Sequence, residues 1–111
     1  MNITTQNYQE TAVFTLTGKM DFQAHAQILS SVEAAVHSGS TIIILDLQHV
    51  PFIDSLAIGL LVTAYKKLKG QDIQLQLVCP EQNSVVTEIL HSLKIPDLIP
   101  TFPSFHESFS G

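Results

Sequence analysis

The run Thr41 to Leu47, TIIILDL, constrains the fold of this chain more than any other segment. Its β-branched side chains hold one χ1 well and suit a pleated strand. The run is too short for a helix of its own, and it does not alternate between apolar and polar residues. It therefore reads as a central strand buried on both faces, the kind found in parallel sheets.

The flanking segments carry a different period. From Phe22 to His37 the apolar residues Ala24, Ile28, Leu29, Val32, Ala35 and Val36 recur at three and four, which predicts an amphipathic helix. Asp21 is placed to cap its start and Gly39 its end. Downstream, Asp54 and Ser55 precede a second helical stripe of Leu56, Ile58, Leu61, Val62, Tyr65 and Leu68, closed by Gly70. Thr11 to Thr17 alternates as a strand, with a weaker strand near Ile3 to Tyr8 joined to it through Gln9-Glu10. Asp72 to Cys79 sets Ile73, Leu75 and Leu77 against Gln74 and Gln76, which suits a strand near an edge. Asn83 or Ser84 is expected to cap a third helix carrying Val86, Ile89, Leu90 and Leu93. Pro96 and Pro100 bracket a turn-rich stretch, and Phe102, Phe105 and Phe109 are expected on a last short helix starting near Ser104.

The expected order is thus β-β-α-β-α-β-α-α, an α/β arrangement. Strands joined through helices should pair in parallel with right-handed crossovers. At 111 residues the chain is expected to form a single domain, residues 1–111, with a core that needs no disulfide or metal.

Several function classes fall away on charge and composition. A formal net charge of −5 disfavours nucleic acid and anionic lipid as partners, because both demand a basic face. Lys66, Lys67 and Lys69 cluster at the C-terminal end of the second helical stripe, where the helix dipole favours cations. Cys79 is the one cysteine, so no internal disulfide forms, and its apolar neighbours predict a buried, inert thiol. No apolar run reaches the roughly 20 residues of a membrane span, and the first ten residues lack a signal-peptide pattern. No membrane insertion and a cytoplasmic location are the resulting expectations.

The chemistry concentrates in Ile44 to Gly70, ILDLQHVPFIDSLAIGLLVTAYKKLKG. A buried strand leads through a short loop to Asp54-Ser55 at a helix start. The Ser55 hydroxyl then lies beside backbone N–H groups that have no intrahelical partner. A phosphoryl group there gains from the positive end of the helix dipole. On spacing alone, Ser55 and Asp54 read as ordinary helix caps.

This block resembles the STAS domain family, and within it the anti-sigma factor antagonists. Their motif has the form D-L-x-x-V-x-F-[IM]-D-S-[ST]-G-L-G. Asp46, Leu47, Val50, Phe52, Ile53, Asp54, Ser55 and Gly59 match it in order. Gly18-Lys19-Met20-Asp21 is similar to the family's earlier G-x-[LI]-D element, and Ile89 to Phe105 fits its closing pattern. The resemblance implies a STAS fold: a four-stranded, mostly parallel mixed sheet packed with about four helices. It also implies that Ser55 is a phosphorylation site, flanked by the acidic Asp21 and Asp54. The unphosphorylated protein would bind a GHKL-type serine kinase that is also an anti-sigma factor, and so free the sigma factor. Phosphorylation would break the complex, and a metal-dependent, PP2C-type serine phosphatase would restore it. Leu56, Ala57 and Ile58 depart from the motif, replacing a hydroxyl residue, glycine and leucine. With Gly59 they belong to the expected docking face around Ser55. Alanine stiffens the helix start relative to glycine, and Leu56 sets an apolar side chain beside the acceptor.

Other chemistries find less support. His25, His37, His49, His91 and His106 show no zinc-ligand spacing, so no metal is expected. No Gly-x-Ser-x-Gly elbow surrounds Ser55 and no glycine-rich phosphate loop is present, so neither an enzyme nor a cofactor is implied. The alternative to the switch is a STAS-type accessory or scaffold subunit of a larger assembly, such as a lipid-transport system, in which the same face docks a permanent partner.

Overall fold

The computed structural model describes residues 1–104. Asn2–Tyr8 (β1) and Thr11–Thr17 (β2) form an antiparallel hairpin in register from Asn2↔Thr17 to Tyr8↔Thr11. Gln9 takes the left-handed φ of 56° that a two-residue hairpin connection favours. A 3-10 turn, Phe22–Ala24, leads into His25–His37 (α1), and Ile42–His49 (β3) follows. Ser55–Lys69 (α2), Gln74–Val78 (β4), Ser84–Ser92 (α3), Ile95–Leu98 (α4) and Thr101–Phe102 (β5) complete the described chain.

The strands lie in the order β1-β2-β3-β4-β5, so sheet order follows chain order. β2, β3, β4 and β5 pair in parallel. Right-handed crossovers along a sheet that never reverses direction put every connecting helix on the same face. The strand residues on that face, among them Phe14, Leu16, Ile43, Leu45, Leu75 and Leu77, share one core with Ile28, Leu61, Val86 and Leu90 of the helices. The opposite face carries a smaller cluster of Val13, Ile44 and Val78. β3 is buried without a break from Ile43 to Leu47, the acidic Asp46 included, as a central strand covered on both faces requires. Among the described residues no helix is long and apolar enough to cross a membrane.

Four details differ from the sequence expectations. The sheet has five strands rather than four, because Thr101 and Phe102 pair with Leu77 and Val78. This strand is two residues long and follows Pro100, too short to leave a periodic signal. The turn-rich stretch between the prolines holds a short helix of its own: Pro96 sits in the first helical positions, where its missing N–H is not needed. Gly70 closes α2 as expected, but with a right-handed φ of −65°, and Asp72 at φ 60° makes the reversal into β4, which starts at Gln74 rather than Asp72. Phe102 lies on β5, while the expected terminal helix with Phe105 and Phe109 falls outside the described residues.

Candidate functional site

The loops leaving the C-terminal ends of β2 and β3 are laced together. Gly18 N–H donates to the His49 carbonyl at 3.2 Å, and Met20 N–H to the Phe52 carbonyl at 3.0 Å. Met20 and Ile53 form an isolated parallel bridge, and both side chains are buried. Asp21 and Asp54 each follow a bridged residue, so the bridge brings the two carboxylates to one end of the sheet at matching chain positions.

Each aspartate caps the helix it precedes. Asp21 Oδ1 accepts from the Gln23 and Ala24 amides at 3.0 and 3.2 Å. Asp54 Oδ1 accepts from the Ala57 amide at 2.8 Å. Both caps have extended backbones, at ψ −173° and 175°.

Ser55 opens α2 and is exposed. Ile58 N–H already reaches the Asp54 carbonyl, and Ala57 N–H reaches its carboxylate. Among the described residues the Ser55 and Leu56 amides have no such acceptor, so two orphan donors adjoin the Ser55 hydroxyl. No acidic side chain occupies the first turn of α2, while Lys66, Lys67 and Lys69 occupy its last. The Asp54 carboxylate meets the positive end of the helix through one amide, and the Ser55 and Leu56 amides stay open to solvent or a ligand.

The motif departures take distinct places. Ala57 turns into the core at 2% exposure, and Ile58 is half-buried. Leu56 stands 59% exposed, and Gly59 has open space where a Cβ would lie. Ser55 and Gly59, four apart, share a helix face. Phe22 and Phe52 are 67% and 45% exposed, so with Leu56 three large apolar side chains are exposed on the two segments that the Met20↔Ile53 bridge joins. Phe22 lies off the apolar stripe of its own helix, and that mismatch is the one signal in the sequence that could have marked it.

The turn that feeds this loop is braced from two sides. Val50 N–H donates to the Leu47 carbonyl at 3.0 Å. Asp46, fully buried on β3, accepts from the Gln48 main chain and side chain, both at 3.0 Å. From the β4–α3 loop, Asn83 Nδ2 donates to the Leu47 and Val50 carbonyls at 3.0 and 2.8 Å. An open cleft of about 750 Å³ runs beside this turn, between Gly18, His49, Pro51 and Asn83. Asn83 holds the N-cap position of α3, as expected, but its side chain makes no capping bond.

Cys79 is buried next to β5, and burial pushes its thiol pKa up; the Asp46 charge adds to this, against the Thr87 hydrogen bond. Among the described residues no three potential ligands gather around a metal-sized site, and His106 lies outside them.

Comparisons with known proteins bear on fold and family. The STAS domain family matches residues 2–108. The anti-sigma-F factor antagonist RsfB of Mycobacterium tuberculosis is 22% identical over 111 residues, spanning 100% of this chain and 88% of its own length. The crystal structure of an anti-sigma factor antagonist from Mycobacterium paratuberculosis superimposes with a TM-score of 0.85 at 17% identity, covering 98% of this chain and 91% of that one. The Bacillus cell fate determinant SpoIIAA, in its phosphorylated form, gives a TM-score of 0.71 at 21% identity over 98% of this chain and 97% of that one. At these identities the two structures speak for the fold.

Proposed function

The chain belongs to the STAS domain family, and on that premise we propose that it is an anti-sigma factor antagonist switched by phosphorylation at Ser55. In this reading the unmodified α2 start docks a serine kinase that is also an anti-sigma factor, and so frees the sigma factor. Transfer of a phosphoryl group to Ser55 breaks the complex, and a serine phosphatase resets it.

The observation that carries the reading is the exposed Ser55 at the capped start of a 15-residue helix, next to two unpaired amides and on segments that expose Phe22, Phe52 and Leu56. The arrangement supports both states. Unmodified, Phe22, Phe52 and Leu56 offer a surface that gains by leaving water, at about 25 cal/mol per Å². Phosphorylated, the site carries about −1.5 to −2 charges, which the helix end and its free amides accommodate without refolding. Asp21 and Asp54 nearby give that charge no local cation. A partner pressed against it must desolvate it, at a cost of several kcal/mol without a pairing cation. Each ~1.4 kcal/mol is tenfold in affinity, which is enough for a switch.

The test is the intact mass of the protein purified from its native host, with peptide mapping of any added phosphate. Phosphate on Ser55 is the expected result. A chain that stays unmodified across growth and stress, with a constitutive partner in pull-downs, replaces the switch with an accessory-subunit role.

A further inference from the structure

We infer that Asn83 is a positioning residue for the Ser55 loop, holding the turn that feeds it from the neighbouring β4–α3 loop. This rests on the proposed role of Ser55 and adds to it a residue outside the loop.

The main chain of Asn83 does what a helix N-cap does. Its carbonyl accepts from the Thr87 amide at 3.0 Å, and its own N–H donates to the Pro80 carbonyl at 2.9 Å. An asparagine at this position normally turns its side chain back to accept from an amide of the first turn. Here that bond is absent, and no acidic side chain in the first turn of α3 compensates. Instead the amide group reaches across 36 and 33 residues of chain to Leu47 and Val50. Both acceptors are carbonyl oxygens, so the group facing them must be the NH₂ end. A side chain with two N–H donors on one atom is what this place requires.

The target of these bonds matters. Leu47 and Val50 bound the tight turn in which β3 ends, and both are buried. From Val50 only Pro51 and Phe52 separate the turn from the Met20↔Ile53 bridge and the Asp54 cap. Asp46 holds Gln48 at the start of the turn, and Asn83 holds its two ends. Without Asn83, two partly enclosed carbonyls lose a donor, and the loop that aims Ser55 loses the side-chain hydrogen bonds that tie it to the β4–α3 loop.

The discriminating variants are Asn83→Asp and Asn83→Ser. Both replacements cap helices well, so α3 keeps or gains stability. Neither can donate to both carbonyls, since a carboxylate has no donor and a hydroxyl has one. Amide hydrogen exchange on the whole chain is read by NMR at Val50 and Ala57, with Leu90 in α3 as internal reference. Phosphate on Ser55 is read by intact mass of each variant expressed in the native host. Exchange at Val50 about tenfold faster than in the wild type, roughly the effect of losing one or two hydrogen bonds, is expected in both variants. Leu90 should be unchanged, and Ser55 occupancy should fall severalfold. Unchanged exchange at Val50 overturns the inference. So does uniform acceleration that includes Leu90, which marks general packing, or faster exchange at Val50 with undiminished phosphate. A wild-type chain that never carries phosphate removes the switch reading itself, and the Val50 comparison then decides alone whether Asn83 holds the loop.

Discussion

The two helix starts that follow β2 and β3 are built to one plan, sharing the aspartate and the alanine three residues on, and differ at the four positions between and after them. Asp21 and Asp54 stand just after a bridged pair, and each caps the amide three residues on. The residues at that third position, Ala24 and Ala57, are both 2% exposed. Phe22 stands where the other start has Ser55, and Ala26 where it has Gly59. The first start tightens into a 3-10 turn, and Asp21 takes two amides. The second is α-helical at once, and its cap takes one. Caps and bridge therefore belong to the architecture, since both starts have them. What singles out α2 is a hydroxyl, bare backbone one turn later, and amides left without acceptors.

The largest effect expected from this contrast is on binding. Ser55→Asp places a fixed charge where the proposed partner must dry the surface, and affinity for the proposed anti-sigma kinase should fall by about a hundredfold. The thermal midpoint should stay within a few degrees, because surface changes away from packing are worth about 0.5 kcal/mol or less. Calorimetric titration beside thermal unfolding separates the two. Phe22→Ser, which puts a hydroxyl at the matching point of the other start, should acquire no phosphate in the host. A phosphate there would mean that the cap and hydroxyl alone make the site.

The caps are the next test, and here the starts should behave alike. Asp21→Ala and Asp54→Ala each remove a side-chain acceptor, which costs about 0.5–2 kcal/mol of stability at a helix N-terminus. Asp21, which takes two amides, should give the larger loss in urea unfolding. A much larger loss at Asp54 would show that its bond to Ala57 supports the β3–α2 loop as a whole.

Much of this was legible in the sequence because it depends on local periods and on caps. The isoleucine run fixes a central strand, and Asp21, Asp54 and Gly39 sit where helices begin and end. The place of Ser55 at a helix start was legible through its setting of strand, short loop, aspartate and apolar stripe, whereas its proposed role came from the resemblance alone. What stayed hidden depends on contacts between distant segments. Thr101 and Phe102 become a strand only because the edge of β4 is there to pair with. Asn83 looks like a cap from its neighbours, and only the folded chain sets Leu47 and Val50 within its reach. Phe22 counts as helix start in the sequence, yet it ends beside Ser55's loop because Met20 and Ile53 meet.

The smallest and sharpest test makes the second start resemble the first. Gly59→Ala copies the arrangement at Ala26 and meets no atom within 4 Å, so it introduces no clash. Alanine in a helix interior is favoured over glycine by about 0.8–1 kcal/mol. The variant should therefore be more stable, with a thermal midpoint raised by about 4 °C. Stability and binding then move in opposite directions if the bare backbone beside Ser55 receives a partner. The added methyl lies on the Ser55 face, and affinity for the anti-sigma kinase should fall severalfold while the fold tightens. A more stable protein that binds as tightly as the wild type would confine the docking surface to Ser55 and the exposed Phe22, Phe52 and Leu56. The glycine would then be a difference between the two starts with no part in recognition.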